Sequence, residues 1–151
     1  MTKPFSLQPL IGLALHQNDA ATRKLGQLNK QQQSAQGKLE MLRQYRKNYQ
    51  ERLQTSTQSG INPTELRNFQ EFINKLDEAI SQQLKLVAHS TTSTQVGRSE
   101  FDTTQRKLKS FDTLKQRHTE IQKLAADKLE QTIMDEHTSR TASYKTINSE
   151  D

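Results

Sequence analysis

Ser59-Gly60-Ile61-Asn62-Pro63-Thr64-Glu65-Leu66 reads as a helix stop followed at once by a helix start. Gly60 accepts the left-handed backbone that ends a helix. Asn62, Pro63 and Glu65 fall at the N-cap, first and third positions of the next helix, and Ile61 and Leu66 bracket them as a hydrophobic staple does. A turn this short returns a second helix antiparallel to the first. The fold is therefore decided by what lies on either side.

Upstream, Leu7, Ile11, Ala14, Asn18, Ala21, Leu25, Leu28, Gln32, Ala35, Leu39, Leu42, Arg46, Tyr49 and Leu53 follow one another at alternating spacings of four and three. That is a heptad seam, polar only at Asn18, Gln32 and Arg46, and it predicts a helix over 6–55 whose stripe lies against another helix. Ser6 is the expected N-cap, and Pro9 is tolerated in the first turn. Downstream, Leu66, Phe69, Ile73, Leu76, Ile80, Gln83 and Val87 form the returning seam. The predicted fold class is all-α: one coiled-coil domain over 1–151, built as an antiparallel hairpin of two long helices with a turn at 56–62. Setting Leu53 beside Leu66 places Tyr49 near Phe69, Leu42 near Leu76 or Asp77, and residue 28 near residue 91.

The second helix is expected over 63–139. Its seam weakens to Ser90, Thr94 and Gly97, and a cluster of Ser and Thr favours a break or bend within 88–100. The stripe resumes at Phe101, Leu108 and Phe111, then slips to Leu114, His118 and Ile121. Beyond about residue 112 the first helix offers no partner, so an overhang of single helix is expected, followed by a disordered tail over 140–151.

Composition agrees with a coiled coil more than with a globular core. The chain has 151 residues, of which 30% are hydrophobic and 5% aromatic, and a narrow seam needs no more. Cysteine is absent, so neither a disulfide nor a thiolate metal site is expected. No stretch has the length and apolarity of a transmembrane helix or signal peptide, and a soluble protein is expected. The net charge is +5, with the excess early: residues 1–55 carry nine Lys and Arg against Asp19, Glu40 and Glu51. Such a bias suits an acidic protein surface. Nucleic acid is not an expected partner, because the basic residues are not interleaved with exposed aromatics.

His16, His89, His118 and His137 have no companions at metal-ligand spacing, and no phosphate-binding loop or nucleophile motif occurs. No enzyme activity, metal or cofactor is expected. The informative departure lies beside the seam. Heptad lettering puts Leu42 and Tyr49 at d and Tyr45 at g in the first helix, with Leu76 at d and Phe72 and Ala79 at g in the second. In an antiparallel pair both g rows border one side, so Tyr45 is expected across from Phe72 and Ile73. Leu42, Tyr45, Tyr49, Phe72, Leu76 and Ala79 then make one aromatic and apolar strip, which reads either as a docking site or as a widened seam.

The segments Met41-Leu42-Arg43-Gln44-Tyr45-Arg46-Lys47-Asn48-Tyr49 and Phe69-Gln70-Glu71-Phe72-Ile73-Asn74-Lys75-Leu76-Asp77-Glu78-Ala79-Ile80, with the late Met134-Asp135-Glu136, resemble the FliJ family of flagellar export proteins over nearly the whole chain. The resemblance implies a component of the flagellar type III export apparatus, similar in shape to the central stalk of rotary ATPases and not itself an ATPase. It implies binding of the export ATPase ring through the terminal end of the rod, promotion of ring assembly and activity, and contact with the cytoplasmic part of the membrane export gate, FlhA. It also implies escort of export chaperones, and a cytoplasmic location peripherally associated with the inner membrane at the flagellar base. By position, the gate-binding face would be Lys38, Leu42, Tyr45, Tyr49, Phe72, Leu76, Ala79 and Gln83, with Gln and His in other members where this chain has Lys38 and Gln83. A monomer is expected in isolation. The alternatives are an injectisome paralogue of the same architecture and a generic coiled-coil scaffold.

Overall fold

A computed structural model describes residues 6–149. They form two helices that pack against each other, α1 over Gln8–Ser59 and α2 over Pro63–Asn148, with no strand among the described residues. Packing divides the chain into two compact units. One comprises His16–Gln105, and the other comprises the chain ends up to Leu15 and from Arg106.

The link between the helices is Gly60-Ile61-Asn62. Gly60 has φ +85°, and its N–H donates to the Thr57 carbonyl at 3.4 Å, closing α1 with a tight final turn. The Asn62 side-chain oxygen accepts from the Thr64 N–H at 3.1 Å, while its carbonyl accepts the first helical bond from Leu66 N–H at 3.0 Å. Asn62 is therefore the N-cap and Pro63 the first helical residue, as their order in the sequence requires. At the other end of α1 the Leu7 carbonyl accepts from Ile11 N–H at 3.0 Å, so the cap position falls one residue after the expected Ser6.

Helix α1 continues four residues past the expected stop at 55. The hydroxyls that count against helix there are turned back onto it: Thr55, Thr57 and Ser59 donate to the carbonyls of Glu51, Leu53 and Thr55. The turn consequently centres on Ile61 rather than two residues earlier, and the register moves with it. Asn18 and Thr104, Leu25 and Gly97, and Leu28 and Thr94 each stand equidistant from Ile61, and each pair is in contact. Residue 28 accordingly faces 94 and 97, not 91.

Every seam position named in α1 is buried or half-buried, with Ala14, Asn18, Ala21 and Leu39 the most enclosed. In α2 the same holds for Leu66, Phe69, Ile73, Leu76, Ile80, Gln83 and Val87, and then for Ser90, Thr94, Gly97 and Phe101. No break occurs over 88–100. Ser90 and Thr91 donate to the Val87 carbonyl, Thr92 to Ala88 and Thr94 to Ser90, so these hydroxyls occupy acceptors within their own helix. Gly97 permits the closest approach. A Cβ there would stand 2.5 Å from Leu28 Cδ1, so the leucine fills the space a side chain at 97 would need.

In the unit formed by the chain ends, Leu7, Ile11 and Ala14 pack on the α1 side, with Leu108, Phe111, His118 and Gln122 shielded on α2. The expected slip is not taken: Leu114 and Ile121 are exposed, while His118 and Gln122 keep the original phase. From Lys123 to Ser149 every residue is exposed. The expected disordered tail is instead helical from residue 140 to Asn148; residues 150 and 151 lie outside the described ones.

Gly60→Ala meets no steric obstacle, since nothing lies within 4 Å of the added carbon. Its cost is the left-handed backbone alone, about 1–2 kcal/mol. We expect a correspondingly lower urea midpoint, followed by far-UV circular dichroism, with the helical signal of the folded state unchanged.

Candidate binding face

The aromatic side chains of residues 45–72 gather on the His16–Gln105 unit, near the turn. Tyr49 is the pivot. Its ring lies 4.3 Å from that of Phe72, tilted by 35°, and meets Phe69 edge-on at 6.2 Å and 62°. Both geometries avoid direct face-to-face repulsion between ring quadrupoles. The Arg52 guanidinium sits 5.6 Å from the Tyr49 centroid, adding a cation over the ring. Tyr49, Phe69 and Phe72, with Glu65 and Asn68, line a shallow groove of about 420 Å³.

Helix α1 contributes Tyr49 and Arg52 one turn apart, and α2 contributes Phe69 and Phe72 three residues apart, so each pair shares a helix face. The register, centred on Ile61, brings Tyr49, rather than Tyr45, onto Phe72. This corrects the pairing of Tyr45 with Phe72 expected from an earlier turn. Beside the cluster, Arg46 pairs with Asp77 through Nε to Oδ1, with Nη2 at 3.4 Å from Oδ2. Hydrogen bonding and charge from Asp77 raise the guanidinium above its ordinary pKa, so Arg46 stays cationic at any working pH.

The eight residues carried by family position divide into three groups. Lys38, Tyr45 and Phe72 are exposed, the two rings by 49% and 40%. Leu42, Tyr49 and Ala79 are half-buried at the margin. Leu76 and Gln83 are inside the seam, and Gln83 Nε2 donates to the Ala35 carbonyl at 2.9 Å. As folded, Gln83 holds the hairpin rather than offering its amide to a partner.

Two residues of the cluster escaped the reading of the strip. Phe69 was assigned to the seam, yet it buttresses Tyr49 from inside. Arg52 was legible as the g residue one heptad after Tyr45, but only the ring contact gives it a role. Nothing in the cluster has the composition of a reaction centre. Among the described residues no group of three or more His, Asp or Glu side chains is placed to hold a metal ion, and no helix is long and apolar enough to cross a membrane.

Comparison with known proteins gives a consistent result over almost the full length. The family model described as Flagellar FliJ protein matches residues 2–146. The chain is 30% identical over 145 residues to the flagellar FliJ protein of Salmonella typhi, covering 96% of this chain and 99% of that one. It is 29% identical over 145 residues to the flagellar FliJ protein of Escherichia coli (strain K12), with the same coverage.

Tyr49→Ala removes the ring that both phenylalanines pack against. For a half-buried ring we expect a loss of about 2 kcal/mol, below the range for fully enclosed aromatics. Tyr49→Phe keeps the packing and should stay within about 0.5 kcal/mol of the parent in the same denaturation assay.

Proposed function

This chain belongs to the FliJ family and is a component of flagellar protein export, and from that premise we propose that it works as a stalk-like adaptor between the export ATPase and the export gate. Its aromatic margin docks on the cytoplasmic part of the gate protein FlhA, and its terminal end binds the ATPase ring and promotes ring assembly and activity. In this reading the protein performs no catalysis itself, handles export chaperones, and works in the cytoplasm against the inner membrane at the flagellar base.

One observation carries the gate assignment. Tyr45 and Phe72 are large rings left 49% and 40% exposed, beside a Tyr49 that is braced on two sides. Rigid aromatic anchors on a preorganised support are what hot spots at protein interfaces consist of. Lys38, Leu42 and Ala79 border them, with Leu76 beneath as packing. Gln83 belongs to the seam in this proposal and supports the face indirectly.

The ring assignment is favoured by the exposed part of α2 from Lys123 to Asn148, which carries Leu124, Leu129, Ile133, Met134, Tyr144 and Ile147 in water. An unpaired helix with apolar side chains gains from being enclosed.

Combining Tyr45→Ala with Phe72→Ala should weaken binding to the purified cytoplasmic part of the gate at least tenfold, about 1.4 kcal/mol or more, with helicity preserved. Unchanged binding would refute the face. Separately, a chain ending at Gln122 should stimulate turnover of the cognate export ATPase less than the full chain while binding the gate equally well. Full stimulation by the shortened chain would move the ring contact elsewhere.

A further inference from the structure

The polar residues of the α1 seam are spaced evenly. Asn18, Gln32 and Arg46 are each two heptads from the next, and each finds a different side chain on α2. Asn18 Nδ2 donates to Thr104 Oγ1 at 3.1 Å, and its Oδ1 accepts from Gln105 Nε2 at 3.5 Å. Gln32 Nε2 donates to Thr91 Oγ1 at 3.3 Å, and Arg46 pairs with Asp77. Thr91 and Thr104 have spent their own protons on the carbonyls of Val87 and Phe101, which leaves their oxygens as acceptors.

We propose that these three pairs are a register key, confining the hairpin to the one alignment that seats Tyr49 on Phe69 and Phe72. The seam alone is a poor guide to alignment, because sliding one helix by a full heptad keeps every a and d residue facing the other helix. The key does not survive such a slide. One direction sets Asn18 against Gly97, Gln32 against Leu84 and Arg46 against Gln70. The other sets Gln32 against Arg98 and Arg46 against Leu84. In each case a seam amide or guanidinium loses its acceptor, and a polar group shielded without a partner is costly.

Two further polar contacts of the seam within His16–Gln105 differ in kind. Gln83 donates to the Ala35 carbonyl, and the Thr94 hydroxyl lies 3.3 Å from the Leu28 carbonyl while bonding to Ser90. A carbonyl is offered by every residue, so these contacts could be remade one heptad away. The side-chain pairs, by contrast, depend on identity, and the three at seam positions are shielded where the exposed Lys24–Glu100 pair is not. Their role is specificity: polar seam positions commonly lower stability while selecting one pairing. A shifted alignment would also part Tyr49 from Phe72, so the key determines which residues make up the aromatic margin.

The absence of native cysteine allows a direct test by thiol cross-linking with a short bismaleimide. Lys24→Cys with Glu100→Cys reports the native alignment, since the native side chains there meet tip to tip at 3.0 Å and the reagent supplies the reach that two cysteines lack. Lys24→Cys with Ser93→Cys, and Gln31→Cys with Glu100→Cys, report the two one-heptad slides. In the native seam only the first pair should close. With Asn18→Leu, Gln32→Leu and Arg46→Leu combined, the two slid pairs should also close, within or between chains, while the thermal midpoint equals or exceeds that of the parent. If the leucine variant still closes only 24 with 100, the turn and the apolar seam set the alignment and the key is refuted. A leucine variant with a lower midpoint would equally overturn it, because the pairs would then be structural supports rather than selectors.

Discussion

The three residues Gly60, Ile61 and Asn62 constrain everything else in the His16–Gln105 unit. The left-handed glycine stops α1, the asparagine starts α2, and facing residues pair about the point midway between them. Ile61 is the centre of that symmetry, and contacts as distant as Asn18 with Thr104 obey it. A helix end displaced by one turn would reassign every pair along the seam, because α-helices do not stretch to absorb the error.

Within that frame the seam is mixed. Near the turn it is apolar and aromatic, through Leu39, Tyr49, Phe69, Ile73 and Leu76. Farther away it is small and polar, through Ala21, Gln32, Ser90, Thr94 and Gly97. Burial of hydrocarbon dominates the first stretch, where each enclosed leucine or isoleucine contributes about 1.5–3 kcal/mol. In the second, close approach at Gly97 and hydrogen bonds across the seam replace bulk. The two stretches thus divide the work, one supplying most of the cohesion and the other most of the discrimination.

Much of this was legible in the chain itself. The four-three spacing from Leu7 to Leu53 named positions that are all buried or half-buried, though Asn29, Gln50 and Ser56 outside it are half-buried too, and the order Gly60, Asn62, Pro63 marked the start of α2. What failed were inferences from local propensity. Thr55, Thr57 and Ser59 suggested an early stop, and Ser90 to Thr94 suggested a break, because propensity scales treat hydroxyls as competitors of the helix. Here the same hydroxyls bond to carbonyls of the preceding turn, and the helix continues. The missed turn of α1 then displaced the register, so Tyr45 was matched to Phe72 where Tyr49 belongs. Of the strip read from heptad letters, Leu42, Tyr45, Tyr49, Phe72 and Ala79 are exposed or half-buried, whereas Leu76 is enclosed in the seam, as is Gln83, which came from family position; both sit at d.

Every residue of α2 from Lys123 to Asn148 is exposed, and this gives the molecule two kinds of order. Residues 16–105 melt or hold together, since each seam layer is shared between two strands of chain far apart in sequence. The exposed stretch obeys the statistics of a single helix, in which each residue opens and closes according to its own neighbours and ends fray before the middle. A single melting temperature therefore describes only the first; amide protection in the second should fall off gradually toward the terminus, reporting a local equilibrium rather than global unfolding.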